Sequence, residues 1–170
     1  MITTDRLLLR PYELGDYAAY FAMNTDTAVE RFHPAPPMSP EDAWIRMLRH
    51  AGHWALLGYG TFAVIEAVSG RYLGETGVGD FHRGIGEDFD GFDEASWSFA
   101  PAAQGQGYAL EAASAAHRWY FAHKGPARTV CMTDPGHKRS IRLAEKLGYR
   151  FLRTGEYKSN PVVIYERPAS

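Results

Sequence analysis

The stretch Ala100-Pro101-Ala102-Ala103-Gln104-Gly105-Gln106-Gly107-Tyr108-Ala109-Leu110-Glu111-Ala112 decides how the rest of the chain is read. Ahead of it, Ala95 to Phe99 alternates apolar and small polar residues, the period of a strand. After it, Ala109, Ala112, Ala113, Ala116 and Tyr120 recur at helical spacing, and Gly125-Pro126 ends the run. Glycines at the alternate positions 105 and 107 leave backbone N–H groups uncovered by side chains. The helix that follows presents its positive end at the same place. Backbone donors and a helix N-terminus together can seat an anion, most often a phosphate. The same strand–turn–helix also serves as a plain tight connection, so the local pattern leaves both readings open.

Outward from this turn, the chain of 170 residues is 45% hydrophobic and 22% charged, with a formal net charge of −2. That is the composition of one globular domain, here 1–170, able to bury a sizeable core. No basic excess points to nucleic acid or to an anionic membrane surface. The single cysteine, Cys131, excludes an internal disulfide and a cysteine-based metal cluster. No apolar run reaches the ~20 residues of a membrane span. Met1 to Arg6 lacks the apolar core of a signal peptide. These features point to a soluble cytoplasmic protein, and they leave its oligomeric state open between monomer and homodimer.

Toward the N-terminus, Leu7-Leu8-Leu9 reads as a strand, and Leu14, Tyr17, Ala18 and Phe21 as a helix face. Phe32 to Pro37, with three prolines, reads as a loop. Ser39-Pro40-Glu41-Asp42 signals a helix start, with Ser39 as N-cap and Pro40 at the first helical position. The apolar face of that helix is expected at Trp44, Met47, Leu48, Ala51 and Ala55, with Gly58 as its stop. Thr61 to Glu66 and Arg71 to Val78 read as a hairpin across Ser69-Gly70. The glycine-rich, acidic stretch from Arg83 to Gly91 reads as an exposed loop. Beyond the central helix, Thr129 to Thr133 is a strand and Ser140 to Leu147 a helix ended by Gly148. Tyr149 to Leu152 and Val162 to Tyr165 are strands joined through Gly155 to Pro161. The order is roughly β-α-α-β-β-β-α-β-α-β-β, an α+β fold with an antiparallel half and a crossover half.

This order of elements resembles the GNAT superfamily of acetyl-CoA-dependent N-acetyltransferases. Gln104-Gly105-Gln106-Gly107-Tyr108-Ala109 is similar to that family's Arg/Gln-x-x-Gly-x-Gly/Ala pyrophosphate loop. Ala95 to Pro101 resembles the strand along which the pantetheine arm lies. Ser140 to Tyr149 resembles the family's Ser-(Ile/Ala)-x-x-x-x-Lys-Leu-Gly-(Phe/Tyr) segment. Thr4 to Pro11 is similar to the branch that includes the ribosomal-protein-alanine acetyltransferases. The resemblance implies a three-layer α/β/α domain: a mixed, mostly antiparallel sheet of about seven strands with helices on both faces. It implies acetyl-CoA as cosubstrate, no metal, and direct attack by an acceptor amine, on a protein N-terminus or a small molecule. It implies cofactor contacts at Phe99, Ala100, Gln104, Gly105, Gln106, Gly107, Tyr108, Ala109, His137 and Ser140. A bulge at the end of the Trp97 to Ala100 strand, freeing backbone donors for the thioester carbonyl and the pantetheine amide, is also implied by the resemblance. The chain departs from the branch at His137, where an Asn is usual, and at Ala144, where many relatives carry a tyrosine acid. A tyrosine acid at that position is therefore excluded.

Acetyl transfer from a thioester to an amine needs a proton for the departing thiolate and a base for the amine. Ser140, at a helix start, is the candidate donor to sulfur; its other reading is a helix-terminal hydrogen bonder. Glu94, before the central strand, is the candidate base; its other reading is a solvated strand-end carboxylate. His82 and Asp80 end the preceding strand, and His33 lies in the proline-rich loop. His33 and His82 are candidate substrate contacts. Glu87, Asp88, Asp90, Asp93 and Glu94 form an acidic cluster, either a solvated loop or a field that attracts a cationic acceptor. A competing function is an acyl-CoA sensor without turnover. A nucleotide-binding domain is disfavoured, because no lysine–serine pair follows the glycines.

Overall fold

A computed structural model describes residues 1–32 and 38–169. Eight strands form one sheet: β1 (Ile2–Thr3), β2 (Leu7–Arg10), β3 (Thr61–Glu66), β4 (Tyr72–Gly79), β5 (Asp93–Phe99), β6 (Thr129–Thr133), β7 (Arg150–Tyr157) and β8 (Asn160–Arg167). Their spatial order is β1-β2-β3-β4-β5-β6-β8-β7. All neighbours are antiparallel except β5 and β6. The helices are α1 (Tyr17–Asn24), α2 (Thr27–Glu30), α3 (Pro40–Leu57), α4 (Glu87–Asp90), α5 (Tyr108–Lys124) and α6 (Lys138–Lys146).

Helix boundaries follow local chemistry. Ser39 Oγ accepts from the Asp42 amide (3.1 Å), and Asp42 returns the bond to the Ser39 N–H (3.3 Å). This reciprocal cap is worth about 1 kcal/mol. Gly58 closes α3 in the left-handed conformation, φ +75°.

One face of the sheet carries α5 and α6. Leu7, Leu9, Phe62, Val64, Leu73 and Phe99 pack on Tyr108, Ala112, Ala115 and Ala116 of α5. The alanines let the helix lie close to the strands. The opposite face carries α1 and α3, where Tyr20, Ala43 and Met47 cover Tyr12, Ala63 and Ile65.

Three expectations need correction. The buried face of α3 is Ala43, Met47 and His50, whereas Trp44 and Leu48 are exposed. The helix turns a polar stripe inward because a carboxylate, Glu75 on β4, lies beneath it and accepts from Arg46 (3.1 Å). The acidic stretch is only partly a loop: Phe89 is buried, which draws Glu87–Asp90 into the single helical turn α4. The last two strands are longer than expected, running through Gly155 to a tight turn at Lys158 and Ser159, both at positive φ.

The site depends on β5. Its register with β4 runs unbroken from Gly74↔Phe99 to Gly79↔Glu94. Gly74 permits this, since a Cβ there would fall 2.3 Å from the Ser98 carbonyl oxygen. The bulge implied by the resemblance is therefore absent from this ladder. The strand opens on its other edge, where β6 pairs only at Asp93↔Thr129 and Glu94↔Val130. From Ala95 onward β5 and β6 diverge.

Candidate active site

The divergence of β5 and β6 leaves β5 with a free edge. The Ala100 amide donates to Leu73 O (2.9 Å). In an antiparallel ladder the inward-bonded residues alternate, so Ser98 and Ser96 also face β4. The N–H and C=O groups of Trp97 and Phe99 then point into the gap. Phe99 O accepts from Gln104 Nε2 (3.0 Å). Of the two expected contacts at this strand end, Phe99 offers a free amide, and Ala100 has spent its amide on the sheet.

The gap leads to the glycine turn. Gly105 and Gly107 have φ of +78° and +83°, which only glycine adopts without strain. Gly107 is the N-cap of α5 and makes no side-chain cap bond. Among the described residues the amides of Gly105, Gln106, Gly107, Tyr108, Ala109 and Leu110 have no protein acceptor. Six uncapped donors at the positive end of a helix of 17 residues are an arrangement that can seat an anion.

The side chains around the turn brace it. Gln106 Nε2 donates to Ala102 O (2.7 Å). Gln104 Oε1 accepts from Arg139 of α6 (3.0 Å), so this side chain links the strand end to α6. Arg6 donates to Gln106 O (3.0 Å), stacks over Tyr108 and pairs with Glu111 (2.6 Å). Arg139 has no carboxylate partner among the described residues and adds positive charge beside the loop.

Ser140 lies on the α6 side of the gap. Trp97 Nε1 donates to its Oγ (3.0 Å), a bond that ties α6 back to the diverging strand. One lone pair of the hydroxyl is thereby used, and its own proton has no acceptor among the described residues. A buried serine held in this way can donate into the gap. His137 caps α6, its Nδ1 accepting from the Ser140 amide (3.4 Å). The ring stacks on Phe32 with centroids 3.9 Å apart. Burial, more than the facing Arg31 and Arg139, holds its imidazole below the ordinary value, against the pull of Asp134. It is therefore neutral at pH 7.

Glu94 sits at the apex of the gap, on the face that carries α1 and α3. It is 5% exposed, not the solvated strand-end residue of its alternative reading. Arg83 grips both oxygens, at 2.7 and 3.0 Å. Arg83 also donates to Tyr157 (3.2 Å). His82 is exposed at φ +47°, with Nε2 3.1 Å from Asp80. His33 lies outside the described residues.

The acidic cluster does not form an open field. Asp88 pairs with Arg153 (2.6 Å), and Asp90 accepts the amides of Gly84, Ile85 and Gly86. Asp93 accepts from Tyr59 and Tyr120, and Glu94 from Arg83. The opposite charge lies on α3. Arg46, Arg49, His50 and His53 recur at i, i+3, i+4 and i+7, one face of α3. The contacts of Trp97 and Arg139 are not legible in the sequence, because their partners are distant in it. Among the described residues no three His, Cys, Asp or Glu side chains assemble a metal site, and no helix is long and apolar enough to cross a membrane.

The chain is similar to known proteins over nearly its whole length. The family model for the acetyltransferase (GNAT) domain matches residues 6–150. The uncharacterized N-acetyltransferase YnaD of Bacillus subtilis (strain 168) is 31% identical over 157 residues, 92% of this chain and 85% of that protein. A solved structure ascribed to the GnaT family, from Bordetella pertussis, has 32% identity and a TM-score of 0.86, covering 98% of both chains. The spermidine N-acetyltransferase of Vibrio cholerae, solved with CoA and spermine, shares the fold at 18% identity and a TM-score of 0.76, covering 98% of this chain and 97% of that one.

Proposed function

This chain belongs to the GNAT family of acetyltransferases, and we propose that it moves an acetyl group from acetyl-CoA to a primary amine by direct attack. The reading treats 1–170 as one catalytic domain. The observation that carries it is the gap between β5 and β6, which runs from a buried carboxylate to the six uncapped amides of the α5 turn.

When bound, acetyl-CoA supplies the acetyl group as an activated thioester with a thiolate leaving group. The amides of Gly105 to Leu110 hold the pyrophosphate, with Arg139 alongside. Gln104, Gln106 and Tyr108 act through the loop's shape, since their side chains bond to protein. The Phe99 and Trp97 amides, fixed on a sheet strand, are positioned to bond the pantetheine arm and polarise the thioester carbonyl. Ser140 Oγ–H donates a hydrogen bond to the departing thiolate, which takes its proton from water, and His137 sets the start of the helix that carries the serine.

Proton removal from the amine falls to the Glu94 side of the gap. Both carboxylate oxygens already accept from Arg83, so Glu94 acts through a water that shares one of them. His33 and His82 remain proposed acceptor contacts. The single buried cysteine suits a reducing compartment, and the reading places the enzyme in the cytoplasm.

A thiol-release assay tests the proposal. The full-length protein is given acetyl-CoA and a panel of peptide N-termini, amino acids and polyamines. CoA release that depends on the acceptor supports the reading. Tight acetyl-CoA binding without release from any amine would establish a sensor instead.

A further inference from the structure

We propose that the acceptor amine carries a carboxylate and that Arg49 binds it. The inference rests on the acetyl-transfer reading and narrows its substrate class to amino-acid-like molecules.

The face of β4 and β5 opposite α5 is covered by the basic stripe of α3. Three guanidinium groups meet there. Arg46 is paired with Glu75 (3.1 Å), and that carboxylate also accepts from Tyr12 (2.6 Å). Arg83 is gripped by Glu94 (2.7 Å). Arg49 has neither an ion pair nor a hydrogen bond among the described residues.

Arg49 nevertheless sits among these charges. Its guanidinium lies 5.3 Å from the centroid of Phe81, and Arg83 lies 4.7 Å from the same centroid. The His53 ring packs on that phenyl too, at 5.1 Å. Arg49 is exposed to solvent, within reach of a ligand, and partial desolvation, then the positive charge of Arg46 and Arg83, lowers its pKa.

The nearby acids do not supply a counter-charge. Glu75 and Glu94 are engaged as described, and Asp80 turns to His82. His50 and His53 are held below the ordinary value, chiefly by burial, and stay neutral at pH 7. A carboxylate is the planar, two-oxygen partner that a guanidinium fork accepts best.

The place suits an acceptor. Phe81 joins Arg49 to Arg83, and Arg83 to Glu94, the residue of β5 at which the gap begins. An anion on Arg49 therefore holds its molecule on the face opposite α5, from which an amine can approach the gap. A polyamine would instead meet an uncompensated cation.

The test compares matched acids and amides: glycine with glycinamide, L-alanine with L-alaninamide, L-phenylalanine with L-phenylalaninamide, and spermidine as a pure cation. Two readouts are taken on the full-length protein, CoA release and calorimetric binding in the presence of CoA. At least one acid is expected to exceed its amide by about tenfold or more in kcat/KM and in affinity, the value of a charge-assisted hydrogen bond. Amide amines deprotonate more readily, so intrinsic reactivity runs against this preference. In Arg49→Gln the acid-to-amide ratio should collapse to near one, and Arg49→Lys should keep part of it.

Acids bound no better than their amides, a preference for spermidine, or an unaltered ratio in Arg49→Gln would each overturn the inference. If no amine is acetylated, the acetyl-transfer reading falls, and the calorimetric ratio still decides the role of Arg49.

Discussion

Replacing Gly107 by valine separates the two things a glycine turn can do. The residue is at φ +83°, and a Cβ there would meet only the end of the Arg6 side chain, at 3.4 Å. The obstacle is conformation and not space. Holding a residue with a Cβ in the left-handed region costs about 1–2 kcal/mol. If the backbone holds, that cost appears as lost stability, about 2–8 °C in Tm for a domain of this size. If the backbone relaxes, the amides from Gly107 to Leu110 rotate away from their common focus. Each charge-assisted bond lost then costs about 1.5–3 kcal/mol, or about ten- to a hundredfold in affinity.

Gly58→Val is the control. It has nearly the same φ, +75°, and nothing within 4 Å of its Cβ, but it lies at the C-terminus of α3. Thermal melts and calorimetric titration with acetyl-CoA are run on both variants. Both should melt lower, and only Gly107→Val should lose acetyl-CoA affinity. Equal melting shifts with acetyl-CoA affinity intact in both would refute an anion-seating role, and the turn would be a connection only.

Other substitutions test the remaining groups. Ser140→Ala should lower kcat by about tenfold or more with acetyl-CoA affinity retained; a wild-type rate would end its role. Trp97→Phe removes only the indole donor and should lower kcat by about two- to tenfold, the worth of one neutral hydrogen bond. Glu94→Gln should lower kcat by about tenfold or more with acetyl-CoA affinity retained, and destabilise by about 3–5 kcal/mol, because Arg83 loses its counter-charge. A wild-type rate would remove Glu94 from the proton path. His117 is buried between Ala113 O and the Tyr149 hydroxyl, and burial holds its imidazole down to about 4 from 6.5. Its neutral form is favoured by folding, so its contribution is complete above about pH 6.5 and is lost as pH falls toward 4. The loss is about 3 kcal/mol. Melting curves across that range should be flatter in His117→Gln; an unaltered slope would contradict the assignment.

Legibility tracked the range of the interaction. The Ser39 cap, the Gly58 stop and the glycine turn involve residues within four positions of one another, and all three stand where the sequence places them. Hydrophobicity alone predicts the wrong inward face for α3. Met47 and His50 are both buried, His50 as a neutral ring stacked on Tyr12 at 5.4 Å. The acids of residues 87–94 read either as a solvated loop or as a field, because sequence shows charge without partners. Arg153 and Tyr120, the partners of Asp88 and Asp93, come from distant elements, and Arg83 of the same stretch folds back onto Glu94.

The sequence by itself determined the order of elements, the turn that must be glycine and the helix whose N-terminus the turn leaves bare. Those follow from backbone sterics and hydrogen-bond valence, which act over a few residues. Only the tertiary structure decided that β5 and β6 part after Glu94, that Trp97 reaches across 43 residues to hold Ser140, and that Arg49 has no counter-charge among the described residues. Whether a strand edge, a hydroxyl proton or a cation is free depends on what every other element has already taken, and that is settled only when all of them are packed.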